Sequence, residues 1–288
     1  MTIVITGATG HLGQLTVKAL LDRGVAASDI VAAGRNADAL TELAGLGVRT
    51  ASIDYTDPAS LTAAFVGADK VLLISGTAAG ERVAQHGAVI DAAKAAGVGL
   101  IVYTSAPKAD DTPLVLAPEH SATEALIRES GLPFTILRNN WYTENYLDTA
   151  KQAIATGEIV GSAGNGRVAS ASRADFAAAA AAVLTADGHQ GRTYELAGDV
   201  SWTFDDFADV LSDLAGRPVT YRSVPTEQHV EILQGFGLDA GTAGFVAALD
   251  DNIRHGALDC SSTDLRDLIG RPTTPLAEGL AGAFVPVG

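Results

Sequence analysis

Cysteine is nearly absent from this chain. The single Cys260 cannot close an intramolecular disulfide, and no Cys/His spacing resembles a zinc site. Basic residues are scarce: 19 Lys and Arg face 34 Asp and Glu, a formal charge of -15. A surface that acidic repels phosphate backbones and anionic headgroups, which argues against nucleic acid and membrane as partners. Long apolar runs are missing too. The longest, Phe176 to Leu184, is about half of a membrane span and mostly alanine. The opening residues read as a strand, Thr2–Thr6, and not as a basic and apolar leader, so a soluble cytoplasmic protein is expected. Charged residues make up only 18% against 47% hydrophobic, which excludes a disordered chain and supplies a sizeable core.

What is present is an alternation of short β-rich runs with longer Ala/Leu-rich segments. Strands are expected at 2–6, 29–33, 48–52, 70–75, 99–104 and 134–138, with a late one near 193–197. Most are continuous apolar runs, as when helices cover both faces of a parallel sheet. Helices are expected between them at 11–23, 36–44, 58–66, 82–96 and 119–130. Asp57-Pro58 supplies a start signal, a capping side chain followed by proline in the first turn, and Gly97 an exit. Such repeated β-α-β units make a doubly wound parallel sheet, a Rossmann fold, over residues 1–139. From 140 to 288 helices dominate, near 143–156, 203–215, 226–234 and 241–253, and read as a smaller, mostly helical substrate lobe. This lobe is interwoven with the main domain through segments near 170–198, where an Ala-rich helix after Arg173 is expected to pack back on the sheet. The loop Gly161–Gly166 reads as a flexible connection or a hairpin turn.

Gly7-Ala8-Thr9-Gly10-His11-Leu12-Gly13 follows the first strand and opens the first helix, with glycine at its first, fourth and seventh positions. A tight turn there lets backbone N–H groups and the helix N-terminus meet a pyrophosphate with no Cβ in the way. Glycine also serves ordinary turns, but the strand-before, helix-after context favours a dinucleotide. The second strand ends Ala33-Gly34-Arg35-Asn36, with no acid until Asp38. A carboxylate there would suit the NAD ribose; Arg35 instead suits a 2′-phosphate and stacks on adenine, so NADPH is the expected cofactor. A solvated arginine at a helix start is the bland alternative. Asp54-Tyr55 marks the edge of the adenine pocket, or equally a turn.

The glycine spacing, Arg35, the run Asn139-Asn140-Trp141-Tyr142-Thr143-Glu144-Asn145-Tyr146 and Ala171–Asp175 together carry a likeness. The chain resembles the NmrA-like atypical short-chain dehydrogenase/reductases, above all their bacterial NAD(P)H:quinone oxidoreductases and more distantly the triphenylmethane reductases. The likeness extends to Gly270–Pro275. It implies a cofactor bound over Gly7, Ala8, Thr9, Gly10, His11 and Leu12, by Arg35, and by the loop Ser75-Gly76-Thr77. It also implies that Asn139, Asn140, Trp141, Tyr142, Thr143 and Glu144 line the nicotinamide and the acceptor cleft. Asn140 stands where the family pattern has glycine, which bears on the size of the acceptor pocket.

Ordinary short-chain dehydrogenases use a Tyr-x-x-x-Lys pair, in which the lysine lets tyrosine exchange a proton with a carbonyl. None of the six tyrosines has lysine four residues on; Tyr103/Lys108 and Tyr146/Lys151 both miss by one. The corresponding helix carries His120 and Glu124 on one face. They read as a pair holding an imidazolium near the cleft, a weak proton donor, or equally as a surface ion pair. His120 and Tyr103, on the fifth strand, are the candidate catalytic residues. A simple ketone becomes an alkoxide and needs an acid in place. A quinone becomes a phenolate-like oxygen that water can protonate. The missing pair therefore favours a quinone or similar conjugated acceptor, for which Trp141 and Tyr142 offer flat contacts or simply packing. Alternatives are a reductase of dyes, imines or activated alkenes, and a non-catalytic dinucleotide-binding redox sensor.

Overall fold

A computed structural model describes residues 1–281. Among the described residues nine strands are formed: β1 (Ile3–Ile5), β2 (Ile30–Gly34), β3 (Arg49–Ser52), β4 (Lys70–Leu73), β5 (Leu100–Ser105), β6 (Phe134–Asn139), β7 (Glu158–Gly161), β8 (Arg192–Leu196) and β9 (Thr220–Ser223). Helices α1 (His11–Asp22), α2 (Ala37–Ala44), α3 (Pro58–Ala64), α4 (Arg82–Ala95) and α5 (Ala117–Ser130) alternate with the first six strands. Then come α6 (Leu147–Thr156), α7 (Arg173–Thr185), α8 (Phe204–Ala215), α9 (Thr226–Gly235), α10 (Ala240–Arg254), α11 (Asp264–Ile269) and α12 (Leu276–Leu280).

Seven strands form one parallel sheet in the order β3-β2-β1-β4-β5-β6-β8. Val4 of β1 lies opposite Val31 on one side and Val71 on the other, and β1 and β5 are buried at every position. The apolar runs are thus the central strands, while Arg-Thr-Ala-Ser of β3 is an exposed edge. The strand order reverses between β1 and β4. Loops leaving their carboxyl ends must part there, opening the crevice where such sheets bind ligands.

The Ala-rich helix α7 does return to the sheet and packs on α1 through Phe176, Ala177, Ala179, Ala180, Ala181 and Val183. Small side chains let the two helices approach closely. Its buried Asp175 accepts hydrogen bonds from Arg271 (2.6 Å) and the Thr274 amide (2.8 Å), pinning the chain after α11. A second apolar cluster lies in the helical region, built on Tyr146, Trp202, Phe204, Phe207, Leu211 and Ile253. The Gly161–Gly166 loop is not a hairpin turn: β7 pairs in parallel with β9, Ile159 opposite Tyr221, about sixty residues on. No helix among the described residues is long and apolar enough to cross a membrane.

Candidate active site

One cavity of about 570 Å³ occupies the crevice at the carboxyl ends of the strands. The parallel strands β1 to β6 each deliver one part of its wall. After β1 comes the glycine loop. Gly7 has φ of +63°, a left-handed turn open to glycine, and a Cβ on Gly13 would lie 2.4 Å from the Gly7 carbonyl oxygen. A Cβ on Gly10 would meet only that carbonyl, at 3.4 Å, and the residue lines the cavity. The loop is therefore tightly folded on itself yet bare on its open side, the cradle a pyrophosphate needs at the start of α1.

Arg35 follows β2 and lines the same cavity, as do Ile53, Asp54 and Tyr55 after β3. The Tyr55 hydroxyl sits 2.6 Å from Thr6 Oγ1 and 3.0 Å from the Ile74 carbonyl, tying the edge of the pocket to the floor under the glycine loop. Asp54 is held below the ordinary carboxylate range by the amide and hydroxyl of Thr56. Among the lining residues Asp54 is the one acid, against Arg35, Arg82 and Arg173. On a chain of net charge -15 this is a locally positive hole, suited to an anionic dinucleotide.

Ser75, Gly76 and Thr77 follow β4. Thr104 Oγ1 accepts from the Ser75 amide (3.0 Å), and three further bonds run through His86 and Arg82: His86 Nε2 accepts from the Gly76 amide (2.9 Å), and Arg82 Nε donates to the Gly76 carbonyl (2.8 Å). The third is Arg82 Nη1 to Glu119 (2.9 Å), whose other oxygen accepts from the Gly80 amide.

Past β5 and β6 the wall turns apolar, with Ala106, Pro107, Leu114, Leu116 and Trp141, joined by Ser105, His120, Asn139, Asn140, Tyr142 and Asn145. Asn140 spends both ends of its amide on the protein: its oxygen accepts from the Trp141 amide (2.7 Å) and its nitrogen donates to Leu258 (3.2 Å). Asn139 differs. Its Oδ1 is buried with no partner, an acceptor placed for a donor on a bound ligand.

Three expected cofactor residues do not face this cavity. Ala8 is fully buried, its amide bonded to Ala33. Thr143 points the other way, to Ser170 Oγ at 2.9 Å. Glu144 accepts from the Arg173 amide (2.9 Å) at the start of α7 and so fixes that helix. Its neighbour Arg173 does line the cavity, with its guanidinium 4.6 Å from the Tyr142 ring centre and 2.6 Å from Asn145 Oδ1. Arg173, Arg82, Gln85, Ser105 and Asn145 are polar wall residues that sequence reasoning did not assign. Arg173 heads the Ala-rich helix and carried a local signal; Arg82 carried none.

His120 and Tyr103 are brought together, 2.8 Å apart between the tyrosine hydroxyl and Nδ1. The expected His120–Glu124 pair is not formed, neither as an imidazolium nor as a surface contact. Glu124 is fully buried and bound by Arg138 (2.8 and 2.9 Å) and Ser105 (2.6 Å). Burial alone would raise the Glu124 carboxyl, but these donors outweigh it and hold it below the ordinary range. Burial, and then the Arg82 charge, push His120 down to about 4. It is a neutral imidazole.

A profile of a family described as NAD(P)H-binding matches residues 7–187. This chain belongs to that NAD(P)H-binding family. It is 46% identical to quinone oxidoreductase 2 of Escherichia coli (strain K12) over 98% of each chain. The structure of the Escherichia coli NADPH-dependent quinone oxidoreductase complexed with NADPH matches 99% of this chain and 100% of its own, with a TM-score of 0.95. Citrobacter sp. triphenylmethane reductase complexed with NADP(H) matches at 40% identity and a TM-score of 0.94, over 98% of this chain and 100% of its own. The resemblance read from the glycine loop and Asn139–Tyr146 holds. The chain is an oxidoreductase with a Rossmann-type sheet.

Proposed function

We propose that this chain is a cytoplasmic NADPH-dependent reductase that passes hydride to a quinone or a similar conjugated acceptor. The observation that carries this reading is one cavity that runs from Arg35 through the glycine loop to Trp141. Its first part has the cations and bare backbone for a phosphorylated dinucleotide. Its last part is apolar and is flanked by flat side chains. The quinone oxidoreductase at 46% identity supports the same acceptor class.

NADPH supplies the hydride when bound. Gly7, Thr9, Gly10, His11 and Leu12 hold the pyrophosphate, and Arg35 takes the 2′-phosphate. Ser75, Gly76 and Thr77 border the middle of the cofactor, with Asn139, Asn140, Trp141 and Tyr142 at the reacting end. The unpartnered Asn139 oxygen suits a donor such as the nicotinamide carboxamide. The apolar wall keeps water from the reacting carbons. We place the division between dinucleotide-binding and substrate-binding parts near residue 139, where the carboxyl end of β6 meets the acceptor cleft.

The test is loss of NADPH absorbance with a panel of quinones and triphenylmethane dyes. Oxidation with quinones supports the reading. Oxidation with dyes alone favours a dye reductase, for which the Citrobacter protein at 40% identity speaks. Cofactor binding with no turnover on any acceptor overturns both.

A further inference from the structure

His120 in the cavity wall and Tyr103 buried behind it share a hydrogen bond of defined direction. Tyr103 is fully buried, and burial raises its phenol well above the ordinary value, so it keeps its proton. His120 is neutral as well. Between a neutral phenol and a neutral imidazole the O–H donates, because the unprotonated ring nitrogen is the stronger acceptor. With Nδ1 accepting, the imidazole proton sits on Nε2. Among the described residues that nitrogen has no hydrogen-bond partner and is not sealed from solvent, and His120 lines the cavity beside Ser105 and Leu116.

The surrounding charges leave this state undisturbed. From α4, Arg82 faces the ring as a cation, and His86 is itself pushed down to about 3, by burial first and then by His120 and Arg82. On α5, Glu119 is engaged by Arg82 and the Gly80 amide, and Glu124 by Arg138 and Ser105. From β5 comes only the Tyr103 hydroxyl. Among the described residues no carboxylate makes a hydrogen bond or ion pair with this ring, and the Glu124 charge raises its pKa less than burial lowers it.

We propose that His120 is an uncharged hydrogen-bond donor to the acceptor oxygen, its Nε2–H turned into the cavity because Tyr103 holds Nδ1. Tyr103 and Arg82 are positioning residues. The inference rests on the quinone reading above. A C–H bond of the reduced dinucleotide would break, its hydrogen and electron pair forming an O–H bond at one quinone oxygen, and the cofactor would be left oxidised. The other quinone oxygen becomes the anion of the hydroquinone. The Nε2–H bond to that oxygen strengthens as charge builds, the proton stays on nitrogen, and a solvent proton completes the hydroquinone. A neutral imidazole serves this role well because it polarises an oxygen without having to be recharged.

The experiment compares the parent with His120→Ala, His120→Gln and Tyr103→Phe in steady-state NADPH oxidation by benzoquinone, with NADPH affinity measured separately. His120→Ala should lose about tenfold in kcat/KM for the quinone, the scale of one neutral hydrogen bond. NADPH affinity should not change. His120→Gln, whose amide N–H does not titrate, should recover most of the loss. Full activity in His120→Ala overturns the proposal. Nitrogen NMR of the parent ring is the second readout and needs no turnover. The ring should show the Nε2–H form from about pH 6 upward, and mixed tautomers in Tyr103→Phe. An imidazolium or an Nδ1–H ring in the parent overturns the proposal as well. A parent with the Nε2–H ring that reduces no quinone overturns the quinone reading, and with it this donor's target.

Discussion

Arg138 and Glu124 meet as a two-pronged buried pair, Nε to Oε1 at 2.9 Å and Nη2 to Oε2 at 2.8 Å, between the end of β6 and the middle of α5. Engaged by a guanidinium, this carboxylate makes no hydrogen bond to His120 one turn earlier on the helix, and burial first and then the Arg82 charge keep that imidazole neutral. The pair also fixes Ser105, and through it the carboxyl end of β5.

Removing one partner of such a pair leaves a buried charge. Glu124→Ala should destabilise the fold by about 3 kcal/mol, the lower end for a broken buried ion pair. Asp110 and Glu195 still contact Arg138 at 2.8 and 2.9 Å and offset part of the loss. Urea unfolding checks this. A loss below about 1 kcal/mol, the scale of a surface pair, would contradict it.

Cofactor choice should reside in Arg35. Arg35→Ala should weaken NADPH by tenfold or more, on the order of one charge-assisted phosphate contact, and leave NADH nearly unchanged. Fluorescence titration of both cofactors measures it. An equal loss for both would make Arg35 a structural residue.

The glycines of the loop should divide by role. Gly10→Val places a side chain where the backbone meets the pyrophosphate, so it should abolish cofactor binding in a folded protein. Gly13→Ala puts a Cβ 2.5 Å from the Ala8 Cα and should destabilise the fold itself. Thermal unfolding alongside NADPH titration separates the two outcomes.

Stability should fall in mild acid. His86 and His120 have folded-state values of about 3 and about 4, below the unfolded value of 6.5. Below 6.5 the unfolded state binds protons the folded state refuses, so stability is complete above that value and falls as pH drops toward 4 and then 3. Each histidine adds a slope of up to about 1.4 kcal/mol per pH unit. Replacing either by Gln should flatten the curve between those limits; urea midpoints at several pH values give the measurement.

The parts of the site legible in the sequence were those carried by neighbouring residues. β1 with the glycine loop is one continuous stretch, and Arg35 follows directly from the end of β2, so strand, turn and cation could be placed by counting. The rest depends on contacts between distant segments. Nothing near Arg82 shows that it would reach Glu119, 37 residues on, and nothing near Glu124 shows that Arg138 and not His120 would claim it. Thr143 and Glu144 sit in the correct run but on a tight 3-10 turn, where neighbouring side chains diverge, so a contiguous segment was no guide to which of them face the cavity. β7 and β9 escaped notice because each is four residues long and they pair only with each other.

The central claim is that hydride passes to a conjugated acceptor at a site with no tyrosine–lysine acid. It is tested most directly by steady-state NADPH oxidation with a benzoquinone and with an aliphatic ketone, side by side on the same protein. The account predicts rapid oxidation with the quinone and little with the ketone in the parent, and the same preference at a reduced quinone rate in Tyr103→Phe, where His120 loses the bond that fixes its tautomer. Efficient ketone reduction by the parent would contradict it.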